Sequence, residues 1–312
     1  MKIKIINPNT SLEMTRSIDA AGRSVARQGT KIVSVSPTFG PASIESYYDD
    51  YLSIPGILEE IQKGEVEDCD AYIIACYGDP GLHAARELTT KPVIGIAEAS
   101  LYMAAMLAAR FSIVTVIPRT RTMLEEMVVG YGFRDKVVST RTSPLYVLDI
   151  EQDPAGALEK LRIEGRAARD EDDAEAILLG CAGFTQFAQS LEQELEIPVL
   201  DGVVCGVKLA ESLVELSKTT SKYKTYRPPE TKAFSGIFER FGSGQVFDDL
   251  FRRCLNQCTF SALSPTRMLP DCTIFALMPL KLMLFYFNTA ATLFVTTSCP
   301  TEDKCIGSPY RK

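Results

Sequence analysis

Two cysteines, Cys76 and Cys181, stand in segments that match each other, YIIACYG (72–78) and ILLGCAG (177–183). Each closes a short apolar run, and each is followed two residues later by a glycine, Gly78 or Gly183. A thiol at a strand end, close to the start of the next helix, meets unpaired backbone N–H groups and the positive end of a helix dipole. That setting can draw a cysteine pKa from about 8.5 down to roughly 3.5–7.5. One thiolate facing one thiol across a carbon atom is the minimum apparatus for removing a proton from one face and returning one to the other. The glycines, having no Cβ, let backbone N–H groups approach a ligand and hold the oxyanion that forms when a C–H beside a carbonyl is deprotonated. Cys69 and Cys205 have no such matched setting and read as packing.

Further candidates lie nearby. In the turn Asn7-Pro8-Asn9-Thr10-Ser11 a helix cap accounts for Thr10 or Ser11, whereas Asn9 is free to donate its amide to a ligand carbonyl. Arg119 stands where Asn9 does in the matching segment, so a substrate with a polar or anionic end could use the difference. Asp79 is equally a cap or a ligand contact, and Tyr47, Tyr48, Tyr77 and Phe184 either line an aromatic pocket or belong to the core. The sole histidine, His83, reads as a helix-surface or partly buried residue. None of the nine cysteines forms a C-x-x-C pair, and phosphate loops, dinucleotide fingerprints and G-x-S-x-G elbows are missing. No metal and no cofactor are therefore expected.

These residues need a scaffold that brings them together. From residue 1 to about 217, short apolar runs rich in β-branched residues alternate with amphipathic stretches, the pattern of a parallel sheet covered by helices. Strands are expected at 3–6, 31–36, 71–75, 93–96, 111–116, 137–140, 176–179 and 198–200. Helices are expected at about 11–28, 55–66, 81–89, 98–109, 121–130, 154–172, 185–194 and 203–217. The eight units are two sets of four. IINPNTSLEM (5–14) matches TVIPRTRTML (115–124), pairing Thr10 with Thr120, and KPVIGIAEA (91–99) matches IPVLDGVVC (197–205). With the cysteine segments, the offsets are 110, 105 and 106 residues, so three matches agree on one internal repeat. A pseudo-twofold axis would set the matched residues opposite each other at the carboxyl ends of the strands. The expected domain is 1–241, with halves 1–97 plus 203–217, and 98–202.

The chain has 312 residues, 46% hydrophobic and 23% charged, with a formal net charge of −7. An acidic chain without a basic block is a poor nucleic-acid binder. Met1 runs directly into an apolar strand with no leader pattern, so the expected location is cytoplasmic. Residues 242–312 change composition: Phe, Leu and Cys dominate CTIFALMPLKLMLFYFNTAATLFV (272–295). That run is long enough to span a bilayer, but Pro279, Lys281 and Asn288 interrupt it. An atypical extension, non-native or unstructured, is preferred to an anchor, and the sequence does not separate a genuine extension, an anchor and an artefact.

INPNTS (6–11), FGPASIES (39–46), CYGDPGL (76–82), GCAG (180–183) and DGV (201–203) together resemble the aspartate/glutamate/hydantoin racemase superfamily, and within it the hydantoin and allantoin racemases. The resemblance covers roughly residues 1 to 230. It implies two pseudo-symmetric α/β subdomains of parallel sheet with the active site in the cleft between them, Cys76 and Cys181 as paired proton carriers, and no metal or cofactor. It implies substrate contacts at Asn9, Gly78, Thr120 and Gly183, beside the candidates Asp79 and Phe184. Glutamate racemases place a histidine beside the second cysteine. Here Ala182, Gly183 and Phe184 follow it, which disfavours a free amino acid. The expected reaction is racemisation at C5 of a 5-substituted hydantoin, allantoin included. The alternatives are an amino-acid racemase or related isomerase of the same superfamily, and a non-catalytic two-lobed binding protein. Expected partners are a small hydantoin- or allantoin-type molecule and further copies of the chain, with no nucleic acid and no membrane.

Overall fold

Eight strands form in the computed structural model, which describes residues 1–242, all within one compact unit. The expectations for residues 243–312 lie outside the described residues. The first lobe runs β1 (Lys2–Ile6), α1 (Leu12–Val25), β2 (Lys31–Val35), α2 (Tyr47–Val66), β3 (Ala71–Ile74), α3 (Leu82–Leu88), β4 (Val93–Gly95) and α4 (Ile96–Leu107). The second continues with β5 (Phe111–Thr115), α5 (Arg121–Gly130), β6 (Val137–Thr142), α6 (Asp149–Gln152), α7 (Pro154–Asp170), β7 (Ile177–Leu179), α8 (Ala188–Leu195), β8 (Val199–Asp201) and α9 (Gly202–Glu215). Each lobe holds one four-stranded sheet, ordered β2-β1-β3-β4 and β6-β5-β7-β8, with every pairing parallel. The same order in both lobes is what the sequence repeat requires.

The central strands show why the sheets hold. In β1, Ile3, Ile5 and Ile6 are fully buried, each removing a side chain from water at a gain of about 1.5–3 kcal/mol. Lys4 lies between them in the same interior and is tolerated because its Nζ meets Glu60 Oε2 of α2 at 3.0 Å; a buried ammonium without such a partner would lose its charge or its place. Above β1, α1 buries Met14, Thr15, Ile18 and Gly22, one helical stripe, and starts at Ser11, whose side chain accepts the Met14 amide. Two helices link the lobes. The chain leaves β4 through α4 and comes back from β8 through α9, and α9 packs against α4, α1, β3 and β4. Gly202 allows this contact, since a Cβ there would lie 2.6 Å from the Ile96 carbonyl oxygen.

One element departs from expectation in a way that matters for the site. Helix α2 begins at Tyr47, eight residues before the expected start at Pro55, which lies inside the helix. The true start is a reciprocal cap: Ser46 Oγ accepts the Asp49 amide and donates to Asp49 Oδ2 at 2.7 Å. The added turns carry residues 47–54 towards the carboxyl ends of the β1 and β3 strands.

Candidate active site

Each functional side chain is delivered by a strand end or the loop that follows it. Cys76 lies two residues beyond β3 and Cys181 two residues beyond β7, at corresponding places in the two sheets. Both line one cavity of about 50 Å³, with room for a few waters. Its first wall is built from Asn9, Met14, Ile44, Glu45, Asp50, Ala75, Cys76, Tyr77 and Gly78. Thr115, Val116, Thr120, Met123, Leu124, Val147, Gly180, Cys181 and Ala182 form the second. The repeat therefore brings the two thiols to one chamber from opposite lobes. Neither is tied up in a disulfide.

The electrostatics differ from the sequence expectation. Burial pushes the Cys76 thiol well above its ordinary value, the nearby Asp50 carboxylate adds to that, and the Gly78 amide only partly opposes it. Cys181 is pushed up to about 12, again chiefly by burial and against the Gly183 amide. Local N–H groups and dipoles do act on both sulfurs, but removal from water outweighs them. Burial thus favours the neutral form of both thiols. The glycine amides also point elsewhere than expected. The Gly183 N–H donates to Cys181 Sγ at 3.4 Å and the Gly78 amide to the Cys76 sulfur. Both thus favour a thiolate on their own cysteine.

Of the remaining candidates, Asn9, Gly78 and Thr120 line the cavity. Asn9 Oδ1 is used inside its own turn, accepting from Asn7 Nδ2 and the Ser11 amide, while among the described residues its Nδ2 has only the thioether sulfur of Met14 at 3.2 Å. A thioether is a weak acceptor, so this amide is available to a ligand oxygen. Thr120 Oγ1 donates to the Ile117 carbonyl, which leaves it an acceptor. Gly183 does not line the chamber, although its amide serves Cys181. Phe184 is fully buried in the core and Tyr77, on the cavity wall, bonds Ser100 Oγ through its hydroxyl at 2.9 Å. Tyr47 and Tyr48 are exposed on α2 and form no aromatic pocket. Arg119 is exposed and off the wall, so the difference between it and Asn9 is not presented to a substrate in the cavity.

Asp79 does not line the cavity. Its backbone is left-handed, with φ 48°, and its carboxylate turns away from the cavity to accept the Ala97 and Glu98 amides at 3.1 and 2.9 Å and the Tyr131 hydroxyl at 2.8 Å. It caps α4, eighteen and nineteen residues downstream, rather than contacting a ligand. Cys69 and Cys205 are buried packing residues, and the exposed His83 bonds the Tyr226 hydroxyl at 2.9 Å. Glu45, Asp50 and Val147 are wall residues that sequence reasoning missed. The signal that could have found Asp50 is Ser46-x-x-Asp49, which moves the start of α2 ahead of it. Among the described residues no three His, Cys, Asp or Glu side chains gather in a way that would hold a metal ion.

Residues 3–210 match the Asp/Glu/Hydantoin racemase family. The chain belongs to that family. It is 63% identical over 246 residues to a hydantoin racemase of Pseudomonas sp. (strain NS671), an alignment covering 79% of this chain and 99% of the relative. An allantoin racemase from Klebsiella pneumoniae has a similar structure, with a TM-score of 0.76 and 47% identity over 78% of this chain and 99% of that one. An allantoin racemase from Pseudomonas fluorescens gives 0.72 and 36%, covering 76% of this chain and 100% of that one. The two-lobed α/β architecture is that of these racemases, and the chain is an enzyme of the racemase type. Among the described residues no helix is long and apolar enough to cross a membrane.

Proposed function

We propose that the chain racemises 5-substituted hydantoins, allantoin among them, by exchanging the C5 proton between Cys76 and Cys181. The observation that carries this reading is the pair of thiols at matched strand ends of two lobes, both on the wall of one cavity. A carbon held between them loses its proton to one sulfur and gains one from the other. The adjacent ring carbonyl takes up the charge, and Asn9 Nδ2 is the donor free to hold that oxygen. Burial raises both thiols and the amides of Gly78 and Gly183 oppose it, so the cysteine that acts as base draws on the amide beside it. Either cysteine can be the base, and the enantiomer bound decides which. The named activities of the relatives agree with this substrate class.

The deciding experiment incubates single enantiomers of allantoin and of alkyl and aryl hydantoins with the full chain in heavy water. Optical rotation and deuterium uptake at C5 are followed together. Loss of rotation accompanied by deuterium uptake is expected, and retention of both rotation and C5 protium with every hydantoin would refute the reading.

A further inference from the structure

Most polar atoms on the cavity wall are already engaged. Thr115 Oγ1 donates to the Gly180 carbonyl, Thr120 Oγ1 to the Ile117 carbonyl, and Glu45 Oε1 accepts the Val147 amide at 2.6 Å. Asp50 is different. It is 8% exposed, lines the cavity, and its Oδ1 is buried with no hydrogen-bond partner among the described residues. The oxygen lies over the backbone of Gly78, where a Cβ would come within 2.8 Å of it, two residues from Cys76. Acidic residues are common in the first turn of a helix, where they complement its dipole from solvent. Asp49 already fills that role in α2, accepting from Ser46 Oγ and the Glu45 amide. Asp50 is left as an acceptor without a donor, and a buried oxygen without a donor is costly unless a ligand supplies one. Among the described residues no Lys, Arg or His lines the cavity, while two carboxylates do.

We propose that Asp50 is the specificity residue of this site: it accepts a hydrogen bond from a ring N–H of the substrate and turns away ligands that present a carboxylate. This rests on the hydantoin reading and deepens it. The first wall then offers a donor, Asn9 Nδ2, and an acceptor, Asp50 Oδ1, which match the adjacent C=O and N–H of a cyclic ureide. A free amino acid or a ring-opened N-carbamoyl amino acid would bring its carboxylate to a wall with no cation and two anions. The burial that holds the Asp50 carboxyl near pH 6 still leaves it mostly ionised at neutral pH.

The test compares the full-length protein with Asp50→Asn and Asp50→Ala, using a 5-substituted hydantoin, its N1-methyl and N3-methyl derivatives, and the corresponding N-carbamoyl amino acid. Binding is read by calorimetry and turnover by circular dichroism, with thermal melting to verify folding. In the unaltered protein, methylating one of the two nitrogens weakens binding strongly. In Asp50→Ala that discrimination disappears, and KM for the parent hydantoin rises roughly 10- to 100-fold, the loss of one charge-assisted hydrogen bond. Inhibition by the N-carbamoyl amino acid strengthens in both variants. Unchanged KM and unchanged N-methyl discrimination would overturn the proposal, as would an effect confined to kcat, which would make Asp50 a proton relay. If the unaltered protein binds hydantoins in an Asp50-dependent manner yet does not racemise them, the racemase reading falls and the recognition role stands. If it binds none, both fall. Should the variants fail to fold, equal binding of all three hydantoins by the unaltered protein would by itself refute the role.

Discussion

The two walls of the cavity share a plan and differ in furnishing. On each, a buried parallel strand ends in a cysteine, and the amide two residues on points back at the sulfur. Beyond that the likeness stops. The first wall carries the Asn9 amide and the Asp50 carboxylate, whose Oδ1 has no hydrogen-bond partner among the described residues, whereas the second is mostly apolar, with Met123, Leu124 and Val147 beside Thr120 in the lining. Duplication supplied a thiol on either side of one cavity. Divergence left the Asn9 amide and the Asp50 carboxylate on one side only.

The sharpest way to break this comparison is to remove one carrier at a time. Cys76→Ser and Cys181→Ser should each lower net racemisation by roughly 10²–10⁴-fold, because a serine hydroxyl is too weak an acid to replace the thiol. The surviving thiol can still exchange C5–H with solvent on its own face. Proton NMR in heavy water should therefore show each variant exchanging one enantiomer, and the two variants opposite ones. Exchange of the same enantiomer by both would mean that the walls do not flank the substrate.

A smaller effect is expected from the two matched glycines. A methyl group at Gly78 would meet Asp50 Oδ1 at 2.8 Å, whereas at Gly183 its nearest neighbours are the flexible tips of Ile150 at 3.2 Å and Met14 at 3.4 Å. Gly78→Ala should raise KM several-fold while Gly183→Ala leaves it within about twofold, the flexible side chains absorbing the intrusion. Steady-state kinetics on both variants decides this, and equal responses would show that the Asp50 position is immaterial.

Thiol reactivity probes the same asymmetry more gently. With Cys181 at about 12, its thiolate at pH 8 is on the order of one part in ten thousand. Alkylation of both cysteines should therefore be slow and climb steadily with pH, without a plateau below pH 9. Asp50→Asn should quicken alkylation at Cys76, whose thiol the carboxylate pushes up, and leave Cys181 unchanged. Peptide mapping after brief labelling separates the two sites.

The smallest effect is on stability. Burial raises the Asp50 carboxyl from its usual 3.8 to about 6, so between those values the folded state holds the proton more tightly than the unfolded one. The cost of its charge is absent below about pH 4 and fully present above about pH 6. Asp50→Asn removes that cost and should gain on the order of 1–3 kcal/mol relative to the parent between pH 4 and pH 7, measured by urea unfolding. A difference that does not vary with pH would mean that the carboxyl is solvated.

How much of this was legible in the sequence follows from the range of each interaction. The repeat, the strand positions and the two thiols are written in local runs such as YIIACYG and ILLGCAG, because strand burial acts residue by residue. The start of α2 was misplaced because Pro55 looks like a first helical residue, while the actual cap, Ser46 with Asp49, lies eight residues earlier. Asp50 went unnoticed with it. Asp79 sits before a proline like any capping residue, and only the fold reveals that the helix it caps begins at Ile96. The thiol acidities were expected with the wrong sign for a similar reason. A helix dipole is visible from nearby residues, whereas burial depends on everything that packs around the site.

The Asp79 carboxylate ties the two lobes together. It stands three residues from Cys76, grips the first turn of α4, and is held from the second lobe by the hydroxyl of Tyr131, just past α5. Gly95 leaves no space between them, since a Cβ there would lie 2.1 Å from the carboxyl carbon. The loop carrying one sulfur is thus gauged against the lobe carrying the other. A proton relayed across a single carbon tolerates little error in the span between its two carriers. On the proposed mechanism that span is set by three hydrogen bonds outside the cavity, so substitution at Tyr131 or Asp79 should detune the pair while leaving the cavity wall unaltered.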